Sequence, residues 1–267
     1  MGTDSEGVDV TREDWKLQVL SHERVLDWTA SARQLKAFMD ALSDLVEAGP
    51  YGEKLSWKSY EEMDVDLWPD LGRVEQELLA MRDTNDDGTL AGPNPDSRIV
   101  VQAYLDRGTE TDYSEAGQLI NLRAVLGHDP QFSSIGCQAT FSARRPDQPA
   151  QLLSDHDPAW LVELLCTAAA SVNADQARID TRSVFRALRA RVDLAPLGLG
   201  ILSLAPYGID LDPLPTSLTA YPCPTGYPDG QVIVADLERA ATDPESLVDD
   251  LLILNDAIET AAAQHHP

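Results

Sequence analysis

The sequence predicts an α+β protein in which antiparallel meanders form a sheet layered by helices. Three observations carry this. Several short segments alternate apolar and polar residues and are joined by brief polar links. Helical apolar stripes accompany them in two halves, each a helix with a small meander, which pack most simply as one sheet layered by helices. Hydrophobic residues make up 43% and charged residues 24% of the chain, close to a globular average, so the chain folds despite its charge. At 267 residues it buries a sizeable core and still fits one domain.

The elements follow in order. Residues 1–14 read as a disordered acidic tail, and residues 15–264 as a single domain with sub-modules spanning residues 15–150 and 151–264. Trp15, Leu17 and Val19 alternate with Lys16 and Gln18, as in a strand. Leu35, Phe38, Met39, Leu42, Leu45 and Val46 recur at helical spacing, and Gly49 with Pro50 supplies a stop. A second helical pattern runs through Leu71, Val74, Leu78 and Met81, ahead of a turn-rich run at 83–96. Three strands at 99–105, 120–126 and 135–141, with short polar links, predict an antiparallel meander.

Asp157 and Pro158 start the next helix, an acceptor for the N-cap followed by a residue already fixed near helical φ. Its stripe is Leu161, Leu164, Leu165, Ala168 and Val172, and Val184, Phe185, Leu188 and Val192 predict another helix. Residues 198–205 are nearly all apolar, as in a central strand. Residues 219–221 suit an edge strand because Pro222 and Pro224 cannot donate to a ladder. Residues 231–235 form a further strand, and the last helix begins at Asp243, Pro244 and Glu245 and carries Leu247, Val248, Leu251, Leu252, Leu254 and Ile258.

Charge bounds the function. Asp and Glu number 45 against 20 Lys and Arg, a formal charge of −25. That field repels phosphate backbones and anionic headgroups, so neither nucleic acid nor a membrane is expected as partner. It attracts a basic protein and speeds the encounter. Solubility alone also explains acidity. Cys137, Cys166 and Cys223 are far apart and odd in number, which predicts neither a disulfide framework nor a metal knuckle and fits a reducing compartment. The first ten residues lack the basic and apolar regions of a signal peptide, and no apolar run reaches membrane-spanning length, so a cytoplasmic location is expected.

The sharpest local motif is at residues 83–90, which puts Asp83, Asn85 and Asp87 at the first, third and fifth positions of a calcium loop, with Gly88 sixth. Position twelve is Asn94 where a bidentate Glu is wanted, and Pro93 and Pro95 forbid an exiting helix. A turn after a helix accounts for the same residues, so no cofactor is expected, with calcium the one ion the motif allows. His128 with Asp129 and His156 with Asp157 raise a metal-hydrolase reading that lacks further ligands, and capping accounts for the second pair. Nucleophile-elbow, phosphate-loop, zincin and dinucleotide signatures are missing, and the chain reads as a non-enzyme.

Two segments read as partner-binding. The first interleaves Tyr60, Trp68 and carboxylates of Glu61, Glu62, Asp64, Asp66 and Asp70, a pattern that suits Arg and Lys on a partner. Core staples flanked by solvated acids give the same pattern. The second is the proline-rich stretch at 207–228 with Tyr207, Tyr221 and Tyr227, a low-entropy contact surface if exposed. Tyrosines packing a loop onto its own sheet look identical in sequence.

Trp28 leading into the helix with Leu35, Phe38 and Leu42, the apolar strand at 198–204, and the strand at 230–234 followed by Asp243, Pro244 and Glu245 together resemble the immunity protein 52 family of bacterial polymorphic-toxin systems. Where that family's pattern has Gly-Trp, this chain has Gly198 and Leu199. The resemblance implies an α+β inhibitor that binds a cognate toxin in the producing cell, and for this acidic chain a basic toxin. The alternative is a calcium-responsive regulatory protein built on residues 83–88. A third reading, an enzyme with scattered carboxylates, predicts a deep polar pocket. Nothing in the sequence fixes an oligomeric state.

Overall fold

A computed structural model of the chain describes residues 14–22, 28–49, 55–59, 86–87, 98–105, 118–126, 134–141, 153–192, 198–210, 212, 214–223 and 225–265. Its strands are β1 (Trp15–His22), β2 (Leu55–Ser59), β3 (Arg98–Leu105), β4 (Gln118–Leu126), β5 (Ser134–Phe141), β6 (Gln176–Thr181), β7 (Leu202–Ala205), β8 (Leu218–Pro222) and β9 (Gln231–Ala235). Its α-helices are α1 (Trp28–Ala48), α2 (Pro158–Val172), α3 (Arg182–Arg191), α4 (Leu237–Thr242) and α5 (Val248–His265). The strands make one antiparallel sheet in the order β2-β3-β4-β5-β1-β6-β7-β9-β8. The predicted α+β sheet layered by helices is therefore the observed one.

β1 is the middle strand. Leu17 lies opposite Ala139 of β5 on one side and Ile179 of β6 on the other. The meander β3-β4-β5 and the later strands thus join through the first strand of the chain. Period-two alternation puts Trp15, Leu17 and Val19 on one face, and all three are buried. Helices α1 and α2 pack on each other, and α2 also packs on β1. Leu35, Phe38, Met39 and Leu42 of α1 and Leu161, Leu164 and Leu165 of α2 fill this core. Trp57 of β2 donates from Nε1 to Ser43 Oγ of α1 at 2.8 Å, which satisfies both buried groups.

The local signals for α2 act as expected. Asp157 accepts from the Ala159 amide at 2.9 Å, Pro158 opens the helix, and Asn173 closes it with a left-handed φ of 56°. Gly49 follows α1 where an added Cβ would lie 2.4 Å from Trp160 Nε1 and 2.5 Å from the Leu45 carbonyl oxygen, so close passage of α2 demands glycine here.

Strands β6, β7 and β9 are buried on both faces. Arg178, Ser203 and Ile233 are buried, at alternate positions to Ile179, Leu202 and Val234, with α3 on their side and α5 packed on α3. Phe185 of α3 lies against Arg178 there. The helix predicted from Val184, Phe185, Leu188 and Val192 is α3; Val184 and Leu188 supply its buried side, and Phe185 is 36% exposed. The predicted strand at 198–205 is regular only at 202–205, because residues 198–201 form turns and bends. The edge strand at 219–221 is β8, the last strand of the sheet. The final helix begins with a 3-10 turn, Pro244–Leu247, before α5.

Three elements escape the sequence reading: β2, β6 and α4. The cysteines also depart from it, because α2 and the end of β8 bring Cys166 and Cys223 into a disulfide with Cα atoms 5.8 Å apart. Spacing along the chain carries no trace of a contact made only by packing. Cys137 is alone on β5, and burial pushes its thiol up to about 12, which leaves it unreactive.

His156 sits between Trp15 and Trp160, with ring centroids 5.6 and 5.0 Å away. Burial lowers its pKa below the ordinary 6.5, with Asp155 opposing. The unfolded chain therefore takes up this proton first, and the stability held by neutral His156 is lost as pH falls below about 6.5. The melting temperature of wild type is expected to fall more than that of His156→Gln between pH 7 and 5.5. Parallel curves would show that His156 protonates equally in both states.

Candidate functional site

Two surfaces combine unusual chemistry with an ordered scaffold. The first is a groove of about 650 Å³ between the turn after β7 and helix α5. Chain direction at the turn depends on Gly208, whose φ is +72° and whose amide donates to the Ala205 carbonyl. The Ile209 amide donates to Gln231 Oε1 at 3.2 Å and fixes the turn to β9. Tyr207 is thereby set against the last turn of α5, stacked on His265 with centroids 4.7 Å apart. Ile209, Ile253, Ala257 and Ala261 give the groove apolar walls, and Asp210 and Asp256 stand on its lining.

Ile253 is 44% exposed, the largest exposure of any big apolar side chain among the described residues. Its position on α5 explains why: Leu247, Leu251 and Leu254 hold the buried stripe, and Ile253 falls off it. The chain segment that builds the groove is acidic. From Gly198 to the C-terminus the sequence has eleven Asp and Glu and a single cation, Arg239. Arg239 is tied up internally, donating to Asp250 Oδ2 at 3.1 Å and to Ser246 Oγ at 2.8 Å. An apolar groove in a field of that sign has the character of an interface core with an acidic rim.

The second lies where α3 packs on the sheet face that carries Arg178. Arg178 Nε donates to Gln18 Oε1 at 2.8 Å, and Gln18 Nε2 donates in turn to Gln138 Oε1 at 2.9 Å, a hydrogen-bonded row across β6, β1 and β5. Arg178 Nη1 also donates to the Leu199 carbonyl at 2.9 Å. Burial lowers the guanidinium's pKa and Asp180 opposes it, yet Arg178 stays cationic because its ordinary value is so high.

Of the residues singled out in sequence, Tyr207 is in the groove. Tyr221 is half-buried on edge strand β8. Tyr227 packs its loop inward, its hydroxyl donating to the Ala174 carbonyl at 2.6 Å. These tyrosines do not form one patch. Tyr60, Glu61, Glu62, Asp64, Asp66, Trp68 and Asp70 lie outside the described residues, as do Asp83 and Asn85 of the calcium motif; Asp87 is in an exposed turn. Among the described residues no three His, Cys, Asp or Glu side chains are grouped to hold a metal. Ile253 and Asp256 were not singled out, although an isoleucine off the apolar stripe of an otherwise regular helix is a readable sign of a second contact.

Neither the protein-family models nor the curated proteins compared with this sequence match it. Among the described residues no helix is long and apolar enough to cross a membrane.

Proposed function

We propose that the chain is an immunity-like inhibitor: it binds a basic protein toxin in the cytoplasm of the producing bacterium and blocks it, without catalysing a reaction. The observation that supports this reading best is the groove beside Tyr207, where exposed Ile253 offers an apolar anchor beside Asp210 and Asp256, in a segment whose single Arg, Arg239, is bound internally. Long-range attraction steers a cationic partner to such a surface, and burial of the aromatic and aliphatic anchors slows its release. The −25 charge gives the encounter its salt dependence. In a reducing cytoplasm Cys166 and Cys223 are neighbouring buried thiols, and neither lines the groove.

Co-expression with the protein encoded beside this one tests the reading: toxicity should disappear and a complex should be isolable. Within that complex, Asp210→Lys with Asp256→Lys is expected to slow association roughly tenfold at low salt, and Ile253→Glu to speed dissociation. Charge reversal of Glu61, Glu62, Asp64 and Asp66 separates the groove from that acidic segment. Kinetics altered only by the latter set would move the interface away from the groove, and absence of any complex would end the inhibitor reading.

A further inference from the structure

Helix α3 reverses the sign of the molecule. Its sequence, Arg-Ser-Val-Phe-Arg-Ala-Leu-Arg-Ala-Arg, holds four of the chain's 20 Lys and Arg and no acid. Arg182, Arg186 and Arg189 are exposed and recur at i, i+4 and i+7, so they line one side of the helix, with Phe185 beside them at i+3.

A bland explanation covers only part of this. Arg189 and Arg191 stand in the last turn, where cations complement the helix dipole, and Arg191 pairs with Asp249 of α5 at 2.7 Å. Arg182 and Arg186 have no such reason. Arg182 opens the helix, where the dipole disfavours a cation. Among the described residues neither side chain has an ion-pair partner. The stripe also adjoins a polar row on the sheet: Phe185 lies 5.2 Å from the Arg178 guanidinium, which continues through Gln18 to Gln138.

We infer that the α3 stripe is a second docking surface, on which Arg182, Phe185, Arg186 and Arg189 receive a carboxylate-rich protein segment with an apolar anchor. Charge complementarity selects this occupant. Guanidinium forks match carboxylates in bidentate geometry, and Phe185 supplies an apolar contact between them. A nucleic acid is the poorer fit, because a uniform polyanion meets the repulsion of a −25 molecule over its whole length and finds one exposed ring instead of a stacking platform. The surface differs in place and sign from the acidic groove and stands whether or not that groove binds a toxin.

The test uses the full chain and three fluorescent probes of equal charge in low salt: a short peptide mixing Glu with Leu, polyglutamate, and a single-stranded oligonucleotide. The Glu/Leu peptide should bind most tightly. Arg182→Glu with Arg186→Glu should weaken it at least about tenfold, and Phe185→Ala should weaken it while sparing polyglutamate. Because Glu at position 182 suits the helix start better than Arg, thermal melting of Arg182→Glu alone should be unchanged or raised, which keeps lost binding distinct from lost folding. No peptide binding, binding indifferent to charge reversal, or tighter binding of the oligonucleotide each overturns the inference.

Discussion

Trp15→Ala is expected to lower the free energy of unfolding by about 4 kcal/mol, one of the largest effects a single substitution has on this fold. Trp15 is fully buried and lies opposite Phe141 in the β1-β5 ladder, their rings stacked with centroids 3.8 Å apart and planes 5° from parallel. Its edges meet His156 and Trp160. Truncation therefore removes apolar burial, leaves a cavity, and breaks aromatic contacts to a strand, a turn and a helix together. Because β1 pairs with both β5 and β6, the loss should lower one cooperative transition for the whole sheet. Urea titration by tryptophan fluorescence and by circular dichroism checks this. A loss below about 1.5 kcal/mol, or two separated transitions, would show that β1 is not the shared centre of stability.

Removing the Cys166–Cys223 bond should have a comparable effect. The bond closes a loop of 57 residues that contains β6, α3, β7 and β8, and chain-entropy reasoning gives about 4 kcal/mol for a closure of that length. Denaturation of the oxidised protein with and without a thiol reductant measures the difference. Cys223→Ala should abolish the response to reductant, since buried Cys137 offers no alternative partner. Equal stability in both states would mean that tertiary contacts, such as the Tyr227 hydroxyl on the Ala174 carbonyl, hold the loop in the unfolded reference as well as in the native one.

Elements whose residues carry their own reason were legible in the sequence. Strand β1 alternates cleanly, α1 has a stripe and a glycine stop, α2 has a capping aspartate followed by proline, and β8 is confined to an edge by Pro222. Strand β6 was not legible. Its Ala177 and Ile179 alternate with Arg178 and Asp180, and charged residues at buried positions hide a central strand. Its place is decided by β1 and β7 pairing on its two sides and by Gln18 and the Leu199 carbonyl receiving the guanidinium. Helix α4, six residues long, rests on one cap, Asp236 accepting from the Arg239 amide, and is too short for a periodic stripe to register.

The same division runs through the two surfaces. The sequence by itself determined the class, the meander, the capped helices and the surplus of carboxylates, because propensity, alternation and charge are properties of neighbouring residues. Only the tertiary structure decided that Tyr207 faces α5 while Tyr227 turns inward, that Cys166 meets Cys223, and that Phe185 stands at the surface beside exposed arginines. Each of those outcomes depends on which element packs where. That is settled by the simultaneous burial of distant apolar faces, a long-range condition to which local sequence pattern is blind.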